Sequence, residues 1–329
     1  MMELWFSEFH STDFKVDFRI RKQLFGQYSD YQHIQVFDTY EFGRMLVMDN
    51  IVMLTEKDEF IYHEMITHVP MAVHPKAERA LIIGGGDGGT LRELCRYDDL
   101  KEIVMVEIDS LVVDVAKDYF PTVATSFGDP RVTLLFEDGL RYVRRCRDMF
   151  DVIIVDSTDP FGPGESLFTK EFYGNCSHAL RDGGILVNQH EGTFYHNDAV
   201  EAAATYKKTS PIFKNTYAYQ AHIPVYPAGH WLFGFMSDRY HPLDDFDPER
   251  WNARGLKTDY YNTELHRGAF ALPNYVYRLL HEGVLLDHYF RRVVGNTIWP
   301  PEDDTLVSES GELADIDFSA IEKYGSDDE

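Results

Sequence analysis

Five short apolar runs, each followed by a stretch with helical periodicity, dominate residues 80–190. The runs are rich in Ile, Val and Leu and occupy residues 80–86, 103–109, 132–138, 152–157 and 184–190. Amphipathic stretches with helical spacing lie near residues 89–97, 111–120, 139–147 and 170–180. Continuous apolar runs that alternate with helices are typical of a parallel sheet covered on both faces. The sequence therefore predicts an α/β fold built on a doubly wound sheet.

Two more apolar runs follow a predicted helix near residues 198–210. They read NTYAYQAHI and HWLFGFMS, and the segment PVYPAG joins them. Alternating runs joined by a Pro- and Gly-containing segment predict an antiparallel hairpin at the edge of the sheet. Five parallel strands with such a hairpin favour a Rossmann-like, methyltransferase-type sheet over a plain dinucleotide-binding fold.

The segments on either side of this sheet have a different character. Residues 32–56 contain short β-branched runs broken by turn residues, which predict a small antiparallel meander. Apolar residues at helical spacing follow over residues 58–69, and Pro70 ends that pattern. Residues 244–282 predict a helical cap. We therefore expect an N-terminal β domain over residues 1–57, a catalytic domain over 58–283 and an acidic C-terminal extension over 284–329 that is mobile.

Composition limits the classes of partner. The formal net charge is −24, which argues against nucleic acid and against anionic membranes. Residues 301–329 contribute eleven acids and one base, which indicates a solvated tail. The acidity elsewhere fits either simple solubility or a pocket for a polycation. The start of the chain lacks the pattern of a signal peptide, and the three cysteines are far apart, so the sequence predicts a cytoplasmic protein.

A glycine loop with an acid inside it follows the first predicted strand. The loop reads GGGDGG from Gly84, with Asp87 at its centre, and Glu107 ends the next strand. This arrangement predicts an adenosine-type ligand whose ribose hydroxyls contact Glu107. A carboxylate at Asp87 would oppose a pyrophosphate, because two like charges 4 Å apart cost about 4 kcal/mol at an effective dielectric constant near 20. Asp87 therefore favours a cationic nucleoside, such as a sulfonium that carries an amine, although capping of the next helix is the alternative.

Acidic residues also end the third and fourth strands. Asp138 precedes Gly139, where a carboxylate could accept a hydrogen bond from an adenine amine, and capping of the next helix is the alternative. Asp156 and Asp159 lie three residues apart in DSTDPFGPG. Loops at the carboxyl ends of parallel strands form the active cleft, so this pair is suited to a diamine. A metal is disfavoured because residues 150–177 contain no histidine, and a plain turn before Pro160 is the remaining alternative.

One pattern on the predicted helix over residues 58–69 is misleading. The segment YHEMITH resembles the HExxH helix of zinc proteases, but its second histidine, His68, is five residues after His63 rather than four. The two imidazoles therefore do not share one helix face. The sequence predicts no metal site here.

Several motifs together resemble the spermidine synthases, the polyamine aminopropyltransferase family. They are GGGDGGTLRE, MVEID, EDG, DSTDPFGPGESLF, IPVYPAG and YYNTELHRGAFALPNY, in the order and at the spacing of the family, and the bacterial putrescine-using type is the most similar. The resemblance implies aminopropyl transfer from decarboxylated S-adenosylmethionine, a co-substrate, to putrescine, with spermidine and methylthioadenosine as products. It implies no prosthetic group. It also implies that the N-terminal β domain helps to form a homodimer or homotetramer.

The resemblance also implies a set of site residues. Asp156 matches the proton acceptor, with Tyr62 beside it, and Asp159 would hold the distal amine. Tyr226 and Trp5 would line the diamine channel. The cofactor residues implied are Gln32, His63 and Asp87 around the aminopropyl group, Glu107 at the ribose, and Asp138 with Gly139 at the adenine.

Three other functions share parts of this pattern. An S-adenosylmethionine-dependent methyltransferase would have the same fold, but Asp87 and the Asp156–Asp159 pair argue against it. An aminopropyltransferase for another diamine, such as cadaverine, would differ only in the shape of the channel. A polyamine-binding protein without turnover would need a damaged site, whereas Tyr62, Asp156 and Asp159 are all present.

Overall fold

The computed structural model describes residues 3–11, 14–158 and 162–286. An antiparallel sheet of five strands, each adjacent to the next in chain order, begins the chain. Its strands are β1 (Leu4–Phe9), β2 (Lys15–Tyr28), β3 (His33–Thr39), β4 (Arg44–Met48) and β5 (Ile51–Thr55). The meander predicted over residues 32–56 is thus confirmed as β3 to β5. Asp49 and Asn50 both adopt positive φ angles in the two-residue turn between β4 and β5, a conformation that Asp and Asn tolerate well.

The second sheet has seven strands and carries the glycine loop. Its order is β11-β12-β10-β9-β6-β7-β8. The strands are β6 (Arg79–Gly84), β7 (Glu102–Glu107), β8 (Val132–Phe136), β9 (Phe150–Asp156), β10 (Leu180–Glu191), β11 (Asn215–His222) and β12 (His230–Ser237). β6 to β10 are parallel, while β12 is antiparallel to β10 and to β11. This confirms the α/β class, the Rossmann-like sheet with its edge hairpin, and the small N-terminal antiparallel sheet.

Helices connect and flank these strands. They are α1 (Glu59–Val73), α2 (Gly89–Cys95), α3 (Ser110–Tyr119), α4 (Gly139–Arg144), α5 (Lys170–Ala179), α6 (His196–Thr209), α7 (Pro248–Ala253), α8 (Thr263–Ala269) and α9 (Asn274–Glu282), and a 3₁₀ helix spans Gly162–Phe168. None of the helices in the described part of the chain is long and apolar enough to cross a membrane.

One predicted helix boundary was wrong, and it involves a proline. α1 does not end at Pro70 but continues to Val73, and every residue from Ile61 to Val73 is buried. Proline removes one backbone hydrogen bond, and here the packing of that buried segment outweighs the loss. The helical cap predicted over residues 244–282 consists of α7, α8 and α9, with Pro273 directly before α9.

The chain divides into two compact units, Met1–Leu272 and Pro273–Glu329. The first contains both sheets and α1 to α8, and the described part of the second contains α9. The domain boundaries predicted at residues 57 and 283 stay predictions. The acidic extension predicted from residue 284 lies outside the described residues, apart from residues 284–286.

Alternating residues on the central strands pack in opposite directions. Ile82 and Ile154 belong to an apolar cluster with α1 and α2, whereas Ile83 and Ile153 belong to a cluster with α4 and α5. The sheet is therefore covered on both faces, as continuous apolar runs require. Because the strands are fixed in this way, the polar residues at their carboxyl ends emerge at one edge.

Candidate active site

The glycine loop lies against the end of β9. Gly84 pairs with Asp156 across the sheet, and the Gly85 N–H donates a hydrogen bond to the carbonyl oxygen of Asp156 at 2.7 Å. Gly84 has φ +83°, and a Cβ atom there would come within 2.1 Å of that same oxygen. Only glycine suits this position, because both the backbone conformation and the space exclude a side chain. The close approach brings the loop that carries Asp87 to the end of the strand that carries Asp156.

Asp87 has two protein partners on one of its oxygens. Its Oδ1 accepts a hydrogen bond from the Gly89 N–H at 2.7 Å and lies 3.1 Å from Nε2 of His63. Gly89 is the first residue of α2, so Asp87 accepts from the first N–H of that helix, but the N-cap position itself is Gly88 and has no side-chain cap. A Cβ atom at Gly89 would come within 2.5 Å of the His63 ring, so this glycine allows α1 and α2 to approach closely.

His63 is a buried imidazole between two carboxylates. Its Nδ1 lies 2.5 Å from Oε2 of Glu59, one helical turn earlier on α1, while Nε2 faces Asp87. Burial alone would lower its pKa, but Asp87 and Glu59 raise the pKa of His63 to about 10. His63 is therefore a cation at neutral pH.

Asp156 and Tyr62 form the centre of the site. The Thr90 hydroxyl donates a hydrogen bond to Oδ2 of Asp156 at 2.6 Å. Burial and the nearby charge of Asp87 raise the pKa of Asp156, although His63 and the hydrogen bonds from Thr90 and Tyr62 act in the opposite direction. Burial and the charge of Asp156 raise the pKa of Tyr62 well above its usual value. Tyr62 thus stays a phenol beside Asp156.

Glu107 is buried at the end of β7, beside the glycine loop. Oε1 of Glu107 accepts a hydrogen bond from the Asp109 N–H at 2.9 Å. Burial raises the pKa of Glu107 to about 7. A Cβ atom at Gly86 would come within 2.9 Å of Oε2 of Glu107, so the loop passes directly over this carboxylate.

Gln32 contacts the segment after Glu107 rather than the Asp87 region. Its Nε2 donates to Oδ2 of Asp109 at 2.9 Å, and the Ser29 hydroxyl donates to the same oxygen at 2.6 Å. The other oxygen of Asp109 caps α3 through the Leu111 N–H. Asp109 thus fixes Gln32 beside Glu107.

Asp138 and Gly139 lie where β8 leads into α4. Oδ1 of Asp138 accepts a hydrogen bond from the Arg141 N–H at 3.1 Å, so the helix-capping alternative for Asp138 is present in the structure. A Cβ atom at Gly139 would come within 2.5 Å of Cγ2 of Ile83, which requires glycine for the packing of α4 on β6. These contacts leave the predicted adenine role as a proposal.

The predicted acceptor residues besides Asp156 are Tyr226, Trp5 and Asp159. The Tyr226 hydroxyl donates to the carbonyl oxygen of Met53 at 2.8 Å, and its ring packs on Trp231 with centroids 4.6 Å apart. Trp5 lies on β1 opposite Arg19, and 53% of it is exposed. Asp159 lies outside the described residues.

Sequence reasoning missed several polar residues at this edge. Thr90 follows the glycine loop directly, so its place in the sequence could have revealed it. Glu59 precedes His63 by four residues on α1, so helix periodicity could have revealed that they lie on one face. Gln189 and Glu191 are buried at the end of β10, where Nε2 of Gln189 donates to Oε1 of Glu191 at 3.1 Å. The rule that placed Asp156 at the carboxyl edge also applies to them.

The two histidines of the YHEMITH segment have different partners. His63 faces Asp87, whereas His68 contacts Glu93 through Nε2 and the Tyr97 hydroxyl through Nδ1. They do not share a site, in agreement with their spacing.

One cluster has the spacing of metal ligands. Ligand atoms of His63, Asp87 and Asp156 all lie within 4.8 Å of one another. A metal requires a neutral imidazole with a free lone pair, but His63 contacts carboxylates through both nitrogens and has a pKa of about 10. The chemistry of the cluster therefore suits a ligand with amino groups better than a metal ion.

Comparisons with known proteins agree with this geometry. The sequence pattern of the spermine/spermidine synthase domain matches residues 59–247, and that of the spermidine synthase tetramerisation domain matches residues 4–56. The polyamine aminopropyltransferase of Alkaliphilus oremlandii is 55% identical over 281 residues, covering 85% of this chain and 99% of that protein. The corresponding enzyme of Clostridium perfringens is 56% identical over 279 residues, covering 85% and 98%.

Solved structures show the same similarity in three dimensions. A crystal structure of spermidine synthase in complex with the transition-state analogue AdoDATO has a TM-score of 0.82 and 39% identity, covering 84% of this chain and 94% of that one. Spermidine synthase from Thermotoga maritima has a TM-score of 0.81 and 38% identity, covering 85% and 95%.

Proposed function

The chain belongs to the spermine/spermidine synthase family, and from that premise we propose that it transfers the aminopropyl group of decarboxylated S-adenosylmethionine to putrescine. The products would be spermidine and methylthioadenosine. The chain is a polyamine aminopropyltransferase, and putrescine as acceptor is the finer part of the proposal. One observation carries it most directly: Asp87 and Asp156 lie together at the sheet edge beside the glycine loop.

The transfer needs a neutral amine as nucleophile. Its lone pair attacks the carbon next to the sulfonium, the carbon–sulfur bond breaks, and the electron pair leaves with the sulfide. The leaving sulfide needs no acid, so positioning and removal of the amine proton supply the catalysis. The raised pKa of Asp156 makes it a stronger base than an exposed aspartate, which supports its assignment as proton acceptor. The Tyr62 phenol, which lies beside Asp156, would donate a hydrogen bond to it and orient it.

We assign the cofactor residues along the same edge. Glu107 would accept hydrogen bonds from the ribose hydroxyls, and Asp138 with Gly139 would contact the adenine. Asp87 and His63 would lie around the aminopropyl group. The contact of Gln32 with Asp109 supports a place for Gln32 beside the ribose rather than next to Asp87.

The acceptor would occupy the opposite side of Asp156. We assign Asp159 to its distal amine and Tyr226 with Trp5 to the walls of the channel. The hydrogen bond from Tyr226 to Met53 links the β11–β12 hairpin loop to β5 of the N-terminal sheet, which supports a channel lined by both sheets. An acceptor panel of diaminopropane, putrescine, cadaverine and agmatine would test this assignment. Equal rates with all four would contradict a channel that selects putrescine.

The N-terminal sheet supports assembly. Residues 4–56 match a spermidine synthase tetramerisation domain, so we expect a homo-oligomer, either a dimer or a tetramer. Light scattering on the purified protein distinguishes the two. The cytoplasmic location stays a prediction.

The decisive variant is Asp156→Asn. We expect the rate of methylthioadenosine release to fall about 10²- to 10⁴-fold, the usual contribution of a general base, while the fold stays intact. Asp151→Asn is a matched control, because Asp151 is a buried aspartate on the same strand whose oxygens contact Arg181 and backbone N–H groups instead. We expect that control to lose stability but to keep the kcat. Full activity of Asp156→Asn would contradict the assigned role.

A further inference from the structure

We propose that Glu59 is a positioning residue for aminopropyl transfer, which acts through His63 to hold Asp87 with one oxygen directed at the cationic ligand. The inference deepens the proposed function and rests on it, because the ligand is taken to be the decarboxylated cofactor. Nothing in the sequence patterns assigned Glu59 to the site.

The contacts form a continuous chain across two helices. Both oxygens of Glu59 accept hydrogen bonds from the guanidinium of Arg92, at 2.8 and 3.0 Å. Oε2 of Glu59 also lies 2.5 Å from Nδ1 of His63, and Nε2 of His63 lies 3.1 Å from Oδ1 of Asp87. Arg92 fixes Glu59, Glu59 fixes the orientation of the imidazole, and the imidazole fixes Asp87. This order resembles the way outer hydrogen-bond partners orient a functional histidine.

The burial of these groups makes the chain of contacts necessary. The side chains of His63 and Glu59 are only 3% and 9% exposed. A buried imidazolium is costly unless anions compensate it on more than one side. Burial opposes ionisation of Glu59, yet His63 and Arg92 lower the pKa of Glu59 to about 2, so it stays an anion. Without that anion, only Asp87 and the nearby Asp156 would compensate the charge of His63.

The consequence concerns the free oxygen of Asp87. Oδ1 is occupied by the Gly89 N–H and by His63, whereas Oδ2 has no hydrogen bond or ion pair with any of the described residues. An ammonium group of the ligand would find this second oxygen already oriented. A neutral His63 carries its single proton on either ring nitrogen and donates to Oδ1 in only one of the two tautomers, so Asp87 would lose part of its orientation before the ligand binds.

Glu93 provides a matched control on the same pair of helices. It is buried, with 4% of its side chain exposed, and it pairs with Nε2 of His68 at 3.1 Å and with Nε of Arg92 at 2.9 Å. It therefore shares the chemistry of Glu59, including the arginine. His68, the histidine that Glu93 contacts, has the Tyr97 hydroxyl rather than Asp87 on its other ring nitrogen.

The test compares Glu59→Gln and Glu93→Gln in steady-state kinetics. For Glu59→Gln we expect the KM for decarboxylated S-adenosylmethionine to rise about tenfold, the loss of roughly one charged hydrogen bond, with a smaller change in the KM for putrescine. Glu93→Gln should leave both KM values unchanged even where it lowers stability. An equal rise in KM for both variants would show a merely structural effect and would overturn the proposal.

A second background separates positioning from folding. In the variant His63→Gln no imidazolium needs compensation, so adding Glu59→Gln should change the KM for the decarboxylated cofactor by less than about twofold. The same tenfold penalty in both backgrounds would mean that Glu59 acts without His63, and the proposal would be wrong.

Nitrogen-15 NMR of the histidine side chains supplies a readout that does not depend on activity. At pH 8 the His63 ring, assigned by its absence in His63→Gln, should carry two protons in the wild-type protein and lose one in Glu59→Gln. A ring that stays doubly protonated in Glu59→Gln would refute the link between Glu59 and His63. If the wild-type protein fails to transfer an aminopropyl group, the proposed function fails, while the NMR result still decides whether Glu59 keeps His63 charged.

Discussion

Replacing Glu107 with glutamine should stabilise the protein while weakening its ligand site. Burial at the end of β7 raises the pKa of this carboxyl from 4.5 to about 7. The folded protein therefore holds the proton more tightly than the unfolded chain does. For an acid with a raised pKa, the stabilisation is complete below pH 4.5 and is lost as the pH rises through 7.

The magnitude follows from the difference between the two pKa values. Each pKa unit corresponds to about 1.4 kcal/mol, so the ionised Glu107 lowers the free energy of unfolding by about 3 kcal/mol at pH 8. Glutamine carries no charge, and its carbonyl oxygen can still accept the hydrogen bond from the Asp109 N–H. We therefore expect Glu107→Gln to unfold like the wild type near pH 4.5 and to be up to about 3 kcal/mol more stable at pH 8.

Urea unfolding at several pH values, without ligand, measures this difference. The gain should grow between pH 5 and 8, and titration calorimetry should show weaker binding of methylthioadenosine by the same variant, because a neutral amide is a weaker acceptor for ribose hydroxyls. A stability difference that does not change with pH would refute the reasoning, since it would mean that Glu107 has the same pKa in both states. Unchanged ligand affinity would contradict the ribose assignment alone.

Two further predictions concern packing around the site. Glu64→Ala should lower the free energy of unfolding by about 3 kcal/mol, because the buried Glu64 accepts hydrogen bonds from three consecutive backbone N–H groups, at residues 259–261. An unchanged urea midpoint would contradict this prediction. Gly84→Ala should cost about 2–4 kcal/mol and reduce activity, because of its positive φ and the overlap with the Asp156 carbonyl. Gly174→Ala is its control, because an added Cβ there would meet no atom within 4 Å beyond its chain neighbours and its own helix backbone, and because α5 would gain helix propensity. Equal losses in both variants would contradict this reasoning.

The sequence by itself determined the fold class and the edge at which the site lies. Apolar runs that alternate with helical stretches identify parallel strands, because burial on both faces leaves no polar alternation along them. Parallel strands end at the same edge, so Asp87, Glu107 and Asp156 had to emerge there together. The motifs GGGDGG and DSTDPFGPG also carried the family assignment, which the comparisons confirm.

Only the tertiary structure decided which side chains contact each other and which of them are charged. The Glu59–His63–Asp87 contacts require α1 to lie against the glycine loop, and the contact of Gln32 with Asp109 requires the N-terminal sheet to approach α3. Sequence periodicity records which face of an element is buried, but not what it is buried against. The pKa of His63 depends on that neighbour, because burial and two carboxylates act on it in opposite directions. The position of Asp87 in a glycine loop could therefore be predicted from the sequence, whereas its pairing with an imidazolium could not.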